Sequence, residues 1–164
     1  MKLKGRVLKY GDDINTDVIF PGRYTYKNLS PEEMASHAME DLDPDFPKKV
    51  KPGDIVFAGK NFGMGSSREQ AVLALKYSGV AAVVAKSFAR IYFRNCINAG
   101  LPAIELPEAV DAVQEGDQVE IDLEAGLIIT PAGEFSFPPF PEKVQEILKA
   151  GGLIPYTRKR LGLS

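Results

Sequence analysis

The 164-residue chain is long enough for one domain with a sizeable core, and its 45% hydrophobic content is typical of a globular protein rather than a disordered one. A formal net charge of −2 offers no basic surface for nucleic acid, so we expect neither DNA nor RNA as a partner. No apolar run approaches the roughly 20 residues of a membrane span, and the charged N-terminus lacks an apolar signal core, so we expect a cytoplasmic protein.

Metal chemistry in this chain is limited by its single cysteine, Cys96, and its single histidine, His37. One cysteine excludes an internal disulfide and any all-cysteine metal or cluster site built from this chain alone. We therefore predict no metal site here. Cys96 is expected to be a small core residue, and His37 a partly exposed helical residue without a catalytic role.

The first predicted elements in chain order are a strand, a turn and a helix. Residues 3–10 alternate as a strand does, and residues 11–15 have the composition of a turn. Residues 30–33 supply an N-cap serine, a proline at the first helical position and a glutamate at the third. This start signal predicts a helix that ends near residues 39–41.

The central loop, which we define as residues 61–69 (Asn-Phe-Gly-Met-Gly-Ser-Ser-Arg-Glu), lies between a predicted buried strand at 54–58 and a predicted helix beginning near Ser67. Two glycines allow positive φ, and Ser66 with Glu69 has the form of a capping box. The first-turn amides of a helix have no partner inside the helix and carry the positive end of its dipole. The loop therefore predicts an anion site.

Ser66, Ser67 and Arg68 stand around this predicted anion site. The arginine could hold a carboxylate through two parallel hydrogen bonds, and a hydroxyl in that positive field could hold a developing alkoxide. The alternative is a purely structural role, in which the two serines cap the helix and Arg68 forms a surface ion pair with Glu69. A second alternative is a free-standing module that binds a phosphorylated ligand. The glycine spacing matches neither a Walker A loop nor a dinucleotide fingerprint.

The sequence patterns of the remaining chain predict a mixed α/β layer structure in one domain. An apolar run at 80–85 predicts a strand parallel to 54–58, joined to it by the intervening helix in a right-handed βαβ unit. A helix at 87–98 capped by Ser87 and a strand at 101–106 should follow. Residues 119–130 predict a β-hairpin, residues 131–141 a proline-rich connector, and residues 142–150 a final helix before an apolar and basic tail at 153–164.

Three ordered stretches together resemble one family: residues 11–17 (Gly-Asp-Asp-Ile-Asn-Thr-Asp), residues 61–69 and residues 86–91 (Lys-Ser-Phe-Ala-Arg-Ile). The chain is similar to the small subunits of 3-isopropylmalate dehydratase, which correspond to the swivelling domain of the aconitase superfamily. The resemblance covers nearly the whole chain. It implies a swivelling β/β/α domain over residues 1–164, with a central βαβ unit of parallel strands and a β-hairpin flank.

The resemblance also implies a partner and a reaction. The partner is a large subunit that carries a [4Fe-4S] cluster on three cysteines, so that this chain binds no cofactor itself and is not expected to be active alone. The reaction interconverts 2- and 3-isopropylmalate by dehydration and rehydration, in leucine biosynthesis. An iron with an open coordination position would bind the hydroxyl and a carboxylate as a Lewis acid.

Family roles fall on particular residues of this sequence. The second serine of the Gly-Ser-Ser-Arg motif, Ser67, would be the base that removes a carbon-bound proton, with its alkoxide stabilised by the helix N-terminus and Arg68. Ser66 and Arg68 would hold a substrate carboxylate. Asp17 would reach across the interface to orient a histidine of the large subunit.

Substrate choice is expected from the loop in which the family varies. Its residues here are Arg23, Tyr24, Thr25, Tyr26 and Lys27. Relatives that accept a third carboxylate present an arginine in this loop, whereas isopropylmalate enzymes present apolar groups. The two tyrosines and the threonine favour isopropylmalate, while the two cations leave homoaconitate or 2,3-dimethylmalate as alternatives.

Overall fold

The computed structural model describes residues 1–65 and 68–163. Within these residues seven strands form one sheet in the order β4-β3-β2-β1-β5-β6-β7. The strands are β1 (Lys2–Lys9), β2 (Ile55–Ala58), β3 (Ala82–Ala85), β4 (Ala103–Glu105), β5 (Gln118–Asp122), β6 (Leu127–Thr130) and β7 (Gly133–Ser136). The helices are α1 (Thr16–Ile19), α2 (Pro31–Ser36), α3 (Phe46–Lys49), α4 (Gln70–Tyr77), α5 (Arg90–Asn98), α6 (Pro107–Ala112), α7 (Glu142–Ala150) and α8 (Leu153–Arg160).

The sheet has a parallel half and an antiparallel half that share β1. The end of β1 pairs in parallel with β2, with Val7 opposite Ile55, and β2, β3 and β4 continue in parallel. The start of β1 pairs antiparallel with β5, and β5, β6 and β7 form a meander. The predicted parallel βαβ unit and the hairpin flank are confirmed.

Alternating side chains of the parallel strands build two cores. Leu8, Val56 and Val83 face one side, where α2, α4 and α5 pack. Their neighbours Val7 and Ile55 face the other side, where β5, β6, α6 and α7 contribute. Because strands covered on both faces must be apolar at every position, this arrangement explains why β2 and β3 are unbroken hydrophobic runs.

Two predicted helix boundaries are wrong. Helix α2 has the expected capping box of Ser30 and Glu33 but ends at Ser36, before residues 39–41. Its continuation is broken because Met39 has a φ of 59° and donates its amide to the Ile19 carbonyl at 2.8 Å. Helix α4 begins at Gln70, later than predicted. The predicted capping serine, Ser66, lies outside the described residues.

Other elements were mispredicted around and beyond α5. Ser87 does not cap this helix, which begins after Ala89; the Ser87 hydroxyl instead accepts a hydrogen bond from the Asn61 amide at 2.8 Å. Helix α6 was missed. Strand β7 lies in the predicted connector and α8 in the predicted tail.

Cys96 is a buried core residue, as predicted. Burial raises the pKa of its thiol well above the ordinary value, which makes the reactive thiolate scarce. None of the helices in the described part of the chain combines the length and apolar character that crossing a membrane requires.

Candidate active site

The three family-like stretches meet at one edge of the sheet. Residues 11–17 follow β1, residues 61–69 follow β2, and residues 86–91 follow β3. Because these strands are parallel, their carboxyl ends lie at the same edge. Open parallel sheets bind ligands outside the carboxyl ends of their strands, so the topology places the candidate site there.

Main-chain hydrogen bonds join the central loop to the loop after β1. The Gly63 amide donates to the Ile14 carbonyl at 2.8 Å, and the Thr16 amide donates to the Met64 carbonyl at 2.8 Å. The bonds run in both directions, as in a short parallel bridge. The start of α1, which carries Asp17, is therefore fixed relative to the central loop.

The loop after β3 holds the other side of the central loop. The Asn61 amide donates to the Ser87 hydroxyl at 2.8 Å, and the Phe62 amide to the Ser87 carbonyl at 3.0 Å. The Ala89 amide returns a bond to the Phe62 carbonyl at 3.0 Å. The central loop is thus bonded on both sides before it reaches its serine pair.

Gly63 is required at its position for two reasons. Its φ is 82°, in the left-handed region that favours glycine. A Cβ there would lie 2.1 Å from Cγ of Tyr92, a buried residue whose hydroxyl donates to the Ala71 carbonyl at 3.0 Å. The loop therefore passes directly over the tyrosine ring.

Arg68 donates to three oxygen atoms of residues that the structure describes. Its Nη1 donates to the Thr25 hydroxyl at 2.8 Å, and its Nη2 donates to the Phe20 carbonyl at 2.9 Å and to Asp17 Oδ1 at 3.3 Å. Its side chain is only 17% exposed. Hydrogen bonds from a planar guanidinium fix its orientation, so the cation is held against α1 and the 22–27 loop. Ser66 and Ser67, immediately before it, lie outside the described residues.

Asp17 is bonded on one oxygen and accessible. Its Oδ1 accepts from the Gly22 amide at 2.8 Å as well as from Arg68. Its side chain is 73% exposed, and no residue within 1–65 or 68–163 donates to Oδ2. At this exposure the ion pair contributes less than about 1 kcal/mol to stability. The contact therefore orients the carboxylate more than it stabilises the fold.

The predicted substrate-loop residues divide into two groups. Thr25 contacts Arg68, while Arg23 turns to a pair of acids: its guanidinium donates to both carboxylate oxygens of Asp41, at 3.0 and 2.9 Å, and to Glu40. The Asp41 hydrogen bonds are the largest cause of the raised pKa of Arg23. Its positive charge is therefore already matched by carboxylates of this chain.

The other residues of this loop lie around an aromatic ring. The Tyr24 hydroxyl donates to Glu40 at 2.7 Å, and its ring stacks on His37 with centroids 4.0 Å apart. Lys27 Nζ lies 5.6 Å from the same ring. Tyr26 is 99% exposed. Sequence reasoning missed Glu40, since an acid 16 residues from its tyrosine gives no local signal.

The cleft beside these residues is small and open. A cavity of about 270 Å³ lies between the 22–29 segment and the start of α4, with Tyr24, Lys27 and Glu69 in its lining. A larger cavity, of about 650 Å³, lies beside β4 under Phe88, Phe93 and Phe137. Neither Asp17 nor Arg68 lines this larger cavity, so cavity size does not locate the polar site.

The donor set of this chain does not fit an iron–sulfur cluster. Such clusters are held by several cysteine thiolates, whereas the sequence has one cysteine, and it is fully buried in the core. Across residues 1–65 and 68–163, no group of three or more histidine, cysteine, aspartate or glutamate side chains is placed to hold a metal ion.

Comparison with known proteins decides the family. Residues 14–109 match the family model of the aconitase C-terminal domain. The 3-isopropylmalate dehydratase small subunit of Thermodesulfovibrio yellowstonii is 54% identical over 99% of this chain and 98% of its own length. That of Halothermothrix orenii is 58% identical over 94% of both chains. This chain belongs to the family of 3-isopropylmalate dehydratase small subunits.

A solved member of this family has the same fold. The crystal structure of 3-isopropylmalate dehydratase from Methanocaldococcus jannaschii is 50% identical, superposes with a TM-score of 0.91, and is covered to 96% of its length by 98% of this chain. The predicted fold class and family are confirmed. The site roles assigned to individual residues stay predictions.

A pair of glycine variants tests the packing of the central loop. Gly63→Ala should lower the free energy of unfolding by at least about 2 kcal/mol, because it combines a disfavoured φ with a clash against Tyr92. Gly116 has a similar φ of 89° but nothing within 4 Å of an added Cβ. Gly116→Ala should therefore cost only about 1 kcal/mol for its backbone conformation. Equal losses in urea unfolding would show that Tyr92 does not restrict the loop.

Proposed function

We propose that this chain assembles with a large subunit into a hydro-lyase that interconverts 2-isopropylmalate and 3-isopropylmalate by dehydration and rehydration, a step of leucine biosynthesis. The observation that carries the proposal is the convergence of Asp17, Thr25 and Arg68 at the carboxyl edge of the parallel strands, with Arg68 following Ser66 and Ser67 in the sequence. This convergence occurs in a chain whose relatives, named as such small subunits, match it along nearly its whole length.

The large subunit would supply the [4Fe-4S] cluster, since the donors of this chain do not fit one. The cluster would supply a Lewis acid for the substrate hydroxyl. This chain contributes the anion-binding edge, and each part of the site is incomplete without the other. The isolated chain is accordingly inactive in this proposal.

Ser67 is proposed as the base. In the dehydration direction its oxygen takes the proton from one substrate carbon, the C–H electron pair becomes the new double bond, and the hydroxyl leaves the adjacent carbon as hydroxide, which the Lewis acid of the large subunit would accept. Rehydration then adds the hydroxyl to the carbon that lost the proton and returns the proton to the carbon that lost the hydroxyl, which gives the other isomer. A serine hydroxyl is a weak acid, so the alkoxide needs a positive environment. Two features support a positive environment for Ser67. Helix α4 begins at Gln70, three residues after Ser67, and the residue directly after Ser67 is Arg68.

Ser66, Arg68 and Asp17 are proposed to bind and orient. The guanidinium of Arg68 is held in a fixed plane by oxygen atoms of this chain, which favours directional binding of a substrate carboxylate by Arg68 and Ser66. Asp17 is exposed and accepts on one oxygen, which suits a carboxylate that orients a histidine of the large subunit.

The alkyl substrate is favoured over a tricarboxylate by the charges of the 22–27 loop. Arg23 is neutralised by Asp41 and Glu40, so it is poorly placed to bind a third carboxylate. Tyr24, Thr25 and Tyr26 are then the groups left for an isopropyl side chain, with Lys27 positioned over the Tyr24 ring. 2,3-Dimethylmalate, which also has an alkyl group, stays the nearer alternative, and homoaconitate the more distant one.

Reconstitution with the large subunit tests the proposal. The complex should turn over 2-isopropylmalate with a kcat/KM at least about tenfold above those for homoaconitate and 2,3-dimethylmalate. The third carboxylate of homoaconitate would lack a cation to pair with, and the smaller alkyl group of 2,3-dimethylmalate would make fewer contacts with the loop. Neither subunit alone should be active. Calorimetry on the isolated chain provides the counter-test: tight binding of inorganic phosphate, together with an inactive complex, would favour the free-standing anion module.

Ser67→Ala in the reconstituted complex tests the base. We expect kcat to fall by several orders of magnitude while the subunits still assemble, because the variant removes a group needed in the transition state. Ser36→Ala is the matched control, since the Ser36 hydroxyl bonds only within the last turn of α2. Turnover within a few-fold of wild type would remove Ser67 from the role of base.

Arg68→Lys in the same complex tests carboxylate binding. KM should rise by about tenfold or more, since a point charge does not replace a planar fork that donates in two directions. Arg158→Lys on α8 is the control, because it replaces a guanidinium with an amine away from the candidate site and should leave KM unchanged. An unchanged KM for isopropylmalate would show that Arg68 serves the fold and not the substrate.

A further inference from the structure

We propose that Glu40 is a positioning residue for the substrate site, acting through Tyr24 and Thr25 on Arg68. This inference rests on the proposed function for its kinetic consequence. Its structural basis is a continuous path of contacts from the core of the protein to the guanidinium. None of the family-like stretches contains Glu40.

The path begins at a backbone anchor. Met39, fully buried, has a φ of 59° and donates its amide to the Ile19 carbonyl at 2.8 Å. This bond joins the segment after α2 to the end of α1. Glu40 follows directly, so its carboxylate is attached to a fixed point in the core.

Both carboxylate oxygens of Glu40 are used. Oε1 accepts from the Tyr24 hydroxyl at 2.7 Å and from the Arg23 guanidinium, and Oε2 lies 2.8 Å from His37 Nδ1. Because a carboxylate only accepts, the histidine nitrogen is the donor in this contact. Although burial alone raises the pKa of Glu40, the hydrogen bonds from His37 and Tyr24 outweigh it and the pKa lies below its ordinary value. Glu40 is therefore ionised at neutral pH.

These bonds fix the Tyr24 ring. It stacks on His37 at 4.0 Å between centroids and contacts Phe20 at 5.8 Å. The Arg23 guanidinium carbon lies 5.0 Å from the ring centroid, within the range of a cation–π contact. The ring is therefore held by the hydrogen bond of its hydroxyl and by the imidazole stacked on one face.

Thr25 transmits this position to the site. It follows Tyr24 directly, and its hydroxyl accepts from Arg68 Nη1 at 2.8 Å. The main-chain bonds within the 22–27 loop are local, from the Thr25 amide to Gly22 and from the Lys27 amide to Tyr24. Arg23 also bonds to Asp41, but the side chain of Asp41 is 45% exposed, whereas that of Glu40 is 22% exposed. Local bonds do not tie the loop to the core, whereas the Tyr24–Glu40 contact spans 16 residues. Glu40 thus connects the loop that holds Arg68 to the protein interior.

Two variants separate the parts of this role. Glu40→Ala removes all three contacts, whereas Glu40→Gln keeps an oxygen acceptor for Tyr24 but loses the charge. In the reconstituted complex, we expect Glu40→Ala to raise the KM for isopropylmalate by about tenfold with kcat within about threefold, because binding is weakened and the base is untouched. Glu40→Gln should recover part of this loss. Glu146→Gln, which alters the exposed Tyr156–Glu146 contact on α7 and α8, is the matched control and should leave KM unchanged.

Hydrogen exchange on the isolated chain supplies a readout that does not depend on activity. Glu40→Ala and Tyr24→Phe should speed amide exchange over residues 22–27, while exchange over α4 stays as in wild type. Unchanged exchange in the loop would overturn the proposal, and so would faster exchange with an unaltered KM. If Glu40→Ala fails to fold, Tyr24→Phe answers the same question by removing the hydroxyl alone. A wild-type complex inactive on isopropylmalate would refute the proposed function, while the exchange rates would still decide whether Glu40 holds the loop.

Discussion

Main-chain hydrogen bonds on both sides of the central loop are the constraint on which the site depends. One side is bonded to residues 14–16 and the other to residues 87–89. Since all three loops extend from the carboxyl ends of parallel strands, the sheet register sets their separation. Gly63 makes this approach possible because a Cβ would enter the Tyr92 ring. A rigid sheet thus holds polar groups in place that a free loop would not.

Two arginines at the candidate site, Arg23 and Arg68, differ in how their charges are paired, although the sequence alone does not distinguish them. Arg23 is paired with two carboxylates, whereas Arg68 donates to the Thr25 hydroxyl, to the Phe20 carbonyl and, at 3.3 Å, to the exposed carboxylate of Asp17. Two carboxylates at close range offset the charge of a guanidinium more than one exposed carboxylate at longer range does. The substrate carboxylate is therefore assigned to Arg68 in the proposed function, and the alkyl side of the substrate to the 22–27 loop.

In the proposed function, the division of the active site between two polypeptides follows from the chemistry of the groups in this chain. This chain provides positive dipoles, a guanidinium and hydroxyl groups, all suited to anions, and its one thiol is sealed in the core. Such groups can stabilise negative charge, whereas one buried cysteine does not supply the thiolates that hold an iron–sulfur cluster. The proposed activity therefore belongs to an assembly.

By itself the sequence determined most of the local elements, the family and the motif residues. Capping, alternation and apolar runs act over a few neighbouring positions, so they can be recognised in the sequence. The capping box of Ser30 and Glu33 and the buried strand β2 are examples. It misplaced the start of α4 and the end of α2 and missed α6, β7 and α8. Only the tertiary structure decided those boundaries, the bonding of Ser87 to the central loop, and the contacts of Glu40 with Tyr24 and Arg23. These contacts join residues 16 or more positions apart, and their energies exist only once the sheet has brought the loops together.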